Sequence, residues 1–282
     1  MYNIASLNIN GLNNKFKQKA LVNFLKFNKI DILLFQEHNI RSENCISTEL
    51  SDYYSVHLNL SIAHKGGTGI IIDKSLDVTV RNCEKSADAR LMSMNIKIYN
   101  KQLHLINVYA PSGSNNKDRD DFFKNDLTYY FRNNLDNSII GGDFNCITSP
   151  RDSSSNYTHV CKTLLCINRD LALKDVWWLK NRTIEYTFVR NDYGSRIDRM
   201  YTKNLSNYVK DVKVKHTNIS DHSCVIVDID IPNTPKNGPY YWKMNTSLLE
   251  NKNIKKDFIL EWVNIKNSIS KYENINIWWE LC

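Results

Sequence analysis

Short apolar runs recur along this chain, and each ends or begins at a polar residue. IASLN closes on Asn8, ILLFQE on Glu37, INVY on Tyr109 and IIGGD on Asp143, while SRIDRM carries Asp198 at the head of one run and ISDHSCV carries Asp221 and His222 at the head of the last. Apolar runs of roughly four to eight residues read as strands buried in a sheet, with side chains alternating between two faces. A polar residue at the same place in each run belongs to the rim of that sheet. Any one of these residues alone reads as a turn or a cap, because Asp and Asn bond their own backbone. Their recurrence calls for a shared site. In IIGGDFNC the two glycines let the backbone turn and a ligand approach, and period-two geometry predicts Asp143 and Asn145 on one side with Phe144 on the other.

The predicted strands are 2–8, 31–36, 69–72, 91–98, 103–109, 138–141, 185–189, 197–202, 209–215 and 225–231. Helical periodicity occurs at 15–28, with Phe16, Ala20, Leu21, Phe24 and Leu25 on one stripe, and again at 120–134. Many short strands with few helices predict an α/β class in which two stacked sheets are covered by helices. Residues 149–158, with three consecutive serines, read as a loop. Between Ile231 and Pro239 three prolines and a glycine end the pattern, which divides the chain into 1–232 and 233–282. Beyond that break Ile254, Phe258, Trp262, Ile265 and Ile269 form an apolar stripe on a further helix.

Composition narrows the class. A hydrophobic content of 42% suffices for a core, and a net charge of +7 fits a polyanionic partner without requiring one. No apolar stretch reaches the roughly 18 residues of a membrane span, so a soluble, intracellular protein with no membrane partner is expected. Seven cysteines without a CxxC pair argue for reduced thiols and against zinc, with Cys161 and Cys166 read as packing residues.

The chemistry that matches acidic strand ends plus an imidazole is phosphodiester hydrolysis. Negative charge builds on the phosphoryl oxygens and the leaving alkoxide, and carboxylates must hold a cation that neutralises it. The oxygen-rich set of Glu37 with Asp143, Asp198 or Asp221 suits Mg²⁺. His222, paired with a carboxylate, stays protonated and donates to the phosphate.

The ordered series SLNINGL, LLFQE, NVYAPS, GGDFN, RID and SDHS resembles the endonuclease/exonuclease/phosphatase superfamily, over about residues 2–231. More narrowly, the opening SLNINGLN and the tail GPYYWKMNTSLLEN with IWWE resemble the endonuclease domain of a LINE-type retrotransposon polyprotein, of the apurinic-endonuclease-like kind, and its connector. That resemblance implies a four-layer, DNase I-like α/β sandwich with a C-terminal helical extension. It implies an enzyme, a Mg²⁺-dependent endonuclease that nicks one strand of double-stranded DNA and leaves a 3′ hydroxyl. A reverse transcriptase downstream in the same polyprotein would extend that end. The protein would be made in the cytoplasm and act in the nucleus.

The residue roles implied follow the motifs. Glu37 binds Mg²⁺ with Asn8, and Asp221 completes the acidic metal site. Asp143 deprotonates the attacking water, with Asn145 positioning it. Asp198 orients His222, and His222 and Tyr109 contact the phosphate oxygens. Thr187, Arg190, Tyr193, Ser195 and Ser112 make up the DNA-binding set, with residues 190–194 as a hairpin entering the minor groove. Ser112 stands where many relatives have Asn and its hydroxyl offers fewer donors to a phosphate, and His38-Asn39 departs from the usual spacing, so no DNA contact is copied there. Two other enzymes of this fold, an apurinic-site repair enzyme and an inositol or lipid phosphatase, are the rivals, together with an inactive DNA-binding module.

Overall fold

The computed structural model describes residues 1–62, 66–98, 101–113, 115–132, 136–155, 159–181, 183–231 and 251–267. The chain divides into two units, Met1–Thr234 and Pro235–Cys282. In the first unit, one six-stranded sheet contains β1 (Tyr2–Asn8), β2 (Ile32–Gln36), β3 (Tyr54–Asn59), β4 (Thr68–Asp73), β13 (Val209–Lys215) and β14 (Cys224–Ile229), ordered β13-β14-β1-β2-β4-β3. The other contains β5 (Val78–Lys85), β6 (Leu91–Ile98), β7 (Lys101–Tyr109), β8 (Ser138–Asp143), β9 (Lys174–Asp175) and β12 (Asp198–Lys203), ordered β5-β6-β7-β8-β12-β9. A separate hairpin pairs β10 (Phe188–Arg190) with β11 (Tyr193–Ser195).

Each sheet is built around one parallel pair, β1 with β2 and β7 with β8, and its other pairings are antiparallel. A parallel pair needs a crossover, supplied by α1 (Lys15–Phe27) in the first sheet and by the helical stretch beginning at α3 (Asn116–Asp121) in the second. The central strands are buried on both faces, which is why their sequences read as unbroken apolar runs. Between the sheets, Ile4, Ile32, Leu34 and Ile70 pack with Met92, Met94, Leu105 and Ile139, and Val176 and Trp177 of α5 (Val176–Lys180) join them. The outer face of the first sheet buries Leu21, Val22 and Leu25 of α1, with Leu50 of α2 (Thr48–Tyr53). That of the second carries Phe122, Phe123 and Leu127 with Leu164 and Ile167 of α4 (Lys162–Asp170). At about 1.5–3 kcal/mol per fully buried large apolar side chain, these layers hold the rims in register. The result is the predicted four-layer sandwich.

Several local expectations are corrected. The buried stripe of α1 is Gln18, Leu21, Val22 and Leu25, and Phe16 is 83% exposed. Gln18 sets that face, since its amide nitrogen donates to the carbonyls of Leu12 and Cys45 and its oxygen accepts from Ser47 N–H. The second helix starts at Asn116 and passes through a π-helical turn at Phe122–Leu127, so that adjacent Phe122 and Phe123 are both buried. Its predicted end at 133–134 lies outside the described residues. Cys161 is buried but Cys166 is exposed. The glycines of IIGGD serve packing and not ligand approach. A Cβ on Gly142 would lie 1.9 Å from the Val108 carbonyl oxygen, and one on Gly141 would lie 2.8 Å from Leu34 Cδ1 across the sandwich.

In the second unit the described element is α6 (Lys252–Asn267), on which Ile254, Phe258 and Trp262 are exposed. The side chain of Ile265, the whole of Ile269, the proline-rich break from residue 232 onward and the connector-like segments at 238–250 and 277–280 lie outside the described residues.

Candidate active site

Strand register carries the polar ends to one edge of the sandwich. Asn8 lies beside Gln36 in the parallel pair of the first sheet, and Tyr109 lies beside Asp143 in that of the second. Strand β12 runs antiparallel to β8, so its first residue, Asp198, pairs with the last residue of β8, Asp143. Strand β14 runs antiparallel to β1, with Ser6 opposite Val225, and this brings the turn holding His222 to the same rim as Asn8.

Asn8 ties the sheets together at that rim. Its amide nitrogen donates to Glu37 Oε1 at 2.8 Å and to Asp143 Oδ2 at 3.0 Å, while its oxygen accepts from Asn10 N–H at 3.1 Å. The N–H face of the Asn8 amide thus meets both carboxylates and holds Glu37 and Asp143 in orientation. Glu37 follows β2 in a left-handed conformation, with φ of 54°. Bonds from Gly11 N–H to the Glu37 carbonyl at 2.6 Å and from Leu12 N–H to the His38 carbonyl at 2.8 Å hold it there, against a cost of order 1 kcal/mol.

The second half of the site is a buried pair. His222 Nδ1 lies 2.9 Å from Asp198 Oδ2 and 3.1 Å from Oδ1. Ligand atoms of Asp143, Asp198 and His222 all lie within 4.8 Å of one another, close enough to hold a metal ion among them. Ser220, in the motif ISDHS, donates its hydroxyl to the Asn8 carbonyl at 2.6 Å and accepts from His222 N–H at 3.1 Å. Serine before a functional Asp-His pair in a turn was the signal by which the sequence could have marked this link.

The electrostatics follow from burial and crowding. Burial pushes the Asp143 carboxyl up to about 7, helped by the Asp198 charge and opposed by His222 and by bonds from Asn8 and Asn145 N–H. Burial alone would lower His222, but the charge and hydrogen bond of Asp198, with Asp143 and Asp221 adding to them, raise it to about 10. Tyr109, buried and bonded through its hydroxyl to Glu37, is held well above the usual tyrosine range by burial and then by Glu37 and Asp143. Oxygen donors from several carboxylates gathered at one rim fit a hard divalent ion.

Other predicted residues are placed differently from expectation. Asn145 is outside the strand, with φ of 48°, so period two does not apply to it. Its N–H donates to Asp143 Oδ1 at 2.9 Å and its side-chain nitrogen to the Ala110 carbonyl at 2.9 Å, so it braces Asp143 and the loop bearing exposed Ser112. Asp221 is exposed, accepts from Asn10 Nδ2 at 3.0 Å and stands beside the Asp143–Asp198–His222 cluster, adding its negative charge at His222. Arg190 and Tyr193 are exposed and pair across the hairpin on either side of its Asn191–Asp192 tip. Thr187 and Ser195 are buried, at 1% and 2% exposure, and present no surface to DNA. His38 is buried, its Nδ1 accepting from Ile40 N–H and its Nε2 bonded to the Asn59 carbonyl, and burial lowers it to about 4. It is a neutral structural histidine.

Sequence reasoning missed the frame behind Asp198. Arg196 donates to Asp152 at 2.9 Å and to Asp175 at 2.7 Å, and Arg199 donates to Asp152 at 2.6 Å. Burial would raise Asp152, but the Arg199 and Arg196 guanidinium groups hold its carboxyl below the usual range. Two arginines flanking a strand-head acid were the available signal, because buried guanidinium groups demand buried carboxylates. The loop expected at 149–158, of which 156–158 lie outside the described residues, contributes to the frame. Asp152 occupies a 3₁₀ turn, Pro150–Asp152, and also accepts from Thr148 and Ser149 N–H.

Comparison with known proteins agrees with this geometry. Over 291 residues the chain is 28% identical to the transposon TX1 uncharacterized 149 kDa protein of Xenopus laevis, covering 99% of this chain but only 22% of that protein. An AP endonuclease from Archaeoglobus fulgidus superposes with a TM-score of 0.68 at 20% identity, covering 82% of this chain and 100% of its own. The endonuclease domain of TRAS1, a telomere-specific non-LTR retrotransposon, superposes with a TM-score of 0.60 at 18% identity, covering 82% and 99%. These likenesses show a shared fold. With residues 2–222 matching its family model, the chain belongs to the Endonuclease/Exonuclease/phosphatase family.

Proposed function

We propose that this chain is a Mg²⁺-dependent DNA endonuclease that nicks one strand and leaves a 3′ hydroxyl for target-primed reverse transcription. The observation that carries the reading is the Asn8 bridge, which joins Glu37 to Asp143 beside the Asp198–His222 pair in one rim cleft. Glu37 and the neighbouring carboxylates would hold the cation, whose positive charge would offset the charge developing on phosphate. Asp143, with its proton affinity raised to about 7, is matched to accept a proton from the attacking water near neutral pH. Asn145 N–H and Asn8 fix the carboxylate in orientation. Asp198 occupies His222 Nδ1, which leaves Nε2 as the ring donor to a phosphate oxygen. Tyr109 adds a hydroxyl on the Glu37 side of the cleft.

Exposed Arg190 and Tyr193 are the groove-reading candidates, since a narrow groove attracts an inserted cation. Residues 1–232 form the nuclease domain in this reading. Residues 233–282 lead toward a downstream reverse transcriptase, and action on chromosomal DNA places the protein in the nucleus. The transposon relative, far longer than this chain, supports a polyprotein context. Primer extension from the nicked product tests the chemistry. A polymerase should extend the new end without prior phosphatase treatment. Strong preference for a duplex with one abasic site would instead indicate a repair enzyme, and phosphate release from inositol phosphates without nicking a phosphatase.

A further inference from the structure

We infer that Thr187 is a positioning residue that sets the separation of Asp198 and His222, and that it does not contact DNA. The inference rests on the reading of the cleft as a nuclease site. Thr187 is 1% exposed. Its hydroxyl oxygen accepts from the backbone N–H of Asp198 at 3.0 Å and of Ile197 at 3.2 Å. Its own carbonyl accepts from Ser223 N–H, next to His222, at 2.7 Å. One residue is thus bonded to the backbone on both sides of the Asp198–His222 contact, which is 2.9 Å long.

The same residue roots the hairpin. Thr187 N–H donates to the Ser195 carbonyl at 2.9 Å, closing the base of β10 and β11. The next residue, Phe188, forms a β-bridge to His222 and holds its ring 4.9 Å from the imidazole. Displacement at Thr187 therefore moves the acid and the imidazole relative to each other. A serine keeps the accepting oxygen. A valine keeps the branched shape but has no acceptor, so the buried Asp198 N–H and the part-buried Ile197 N–H lose theirs.

The test is the series Thr187→Val, Thr187→Ser and wild type, assayed for nicking of supercoiled DNA with Mg²⁺, together with amide hydrogen exchange of the DNA-free protein. A misplacement of about 1 Å at a reacting centre costs up to about 10²-fold, so Thr187→Val should lower kcat about 10- to 100-fold with KM for DNA little changed. Thr187→Ser should recover most of the rate, and exchange should accelerate at Ile197 and Asp198 in the valine variant only. A rise in KM at unchanged kcat would mean a DNA contact and overturn the inference. A serine variant as slow as the valine one would assign the effect to shape and overturn it equally. Should the valine variant not fold, Thr187→Cys, a weaker acceptor of similar size, carries the same prediction at reduced magnitude. Exchange is read without substrate, which separates the two claims. A wild type that cuts no DNA while the exchange pattern holds would refute the nuclease reading alone, and an active wild type with unchanged exchange would refute the positioning role alone.

Discussion

Replacing Asp143 with Asn should abolish function while making the metal-free fold more tolerant of alkaline pH. Burial and the Asp198 charge raise the Asp143 carboxyl to about 7, above its ordinary value of 3.8. A folded-state value above the unfolded one means the group favours folding when protonated. That contribution is complete below the unfolded value and is lost as pH rises through the window up to about 7. Between about pH 5 and about pH 7 the loss covers roughly two units, or about 3 kcal/mol at about 1.4 kcal/mol per unit, and it is finished by about pH 8. The Asp143→Asn variant has no such slope. It does carry a fixed cost of about 1–3 kcal/mol, because the new amide nitrogen must face one of the donors now serving the carboxylate, Asn8 Nδ2 or Asn145 N–H.

The assay is urea unfolding in EDTA at about pH 5 and about pH 8. Relative to wild type, Asp143→Asn should be less stable at the lower pH and gain about 3 kcal/mol in relative stability on moving to the higher one. For a domain of this size that gain is a shift in relative Tm of about 5–10 °C. Equal pH dependence in the two proteins would mean that burial and the Asp198 charge do not raise the Asp143 carboxyl, and the electrostatic argument for it as the base would fail.

Other outcomes follow from the same geometry. His222→Ala should reduce nicking by about 10³-fold or more, read as single-turnover rate. It should also destabilise the protein near about pH 6, with the penalty fading toward about pH 10, because a histidine raised to about 10 contributes stability below about 6.5 that is lost through that range. Arg199→Met breaks a buried ion network around Asp152 and should cost about 3–5 kcal/mol by urea unfolding, as expected when a buried carboxylate loses a partner. Gly142→Ala should fail to fold or lose several kcal/mol, since its Cβ would sit 1.9 Å from the Val108 carbonyl oxygen. A thermally robust Gly142→Ala would refute the packing argument.

The fold was legible where burial is two-sided. Strands β1, β2, β6, β7 and β8 are shielded on both faces, so their apolar runs stand out whatever the register. Strand β5 is a half-exposed edge with a polar sequence, and α5 is barely more than one turn, so neither leaves a periodic trace. In the site, convergence of Asn8, Glu37, Tyr109, Asp143, Asp198 and His222 follows from strand ends, which sequence marks well. The direction of each group does not. Asn145 escapes the strand period because its backbone turns left-handed, and Asp221 points to Asn10 although it is covalently next to His222. Thr187 and Ser195 look like surface groups by composition, yet the hairpin root buries them. The Arg196–Arg199–Asp152–Asp175 frame joins segments far apart in sequence, so the two arginines flanking Asp198 signal that buried carboxylates must answer them but not which ones.

The central claim, that this rim cleft hydrolyses DNA phosphodiesters with the help of a bound cation, is tested most directly by one plasmid experiment. Supercoiled DNA is incubated with wild type, Asp143→Asn and His222→Ala across a Mg²⁺ titration, and open circles are counted against linear and closed forms. The account predicts single-strand nicks from wild type that rise with Mg²⁺ and vanish in EDTA, with either variant slower by about 10³-fold. Nicking by both variants at the wild-type rate would contradict it.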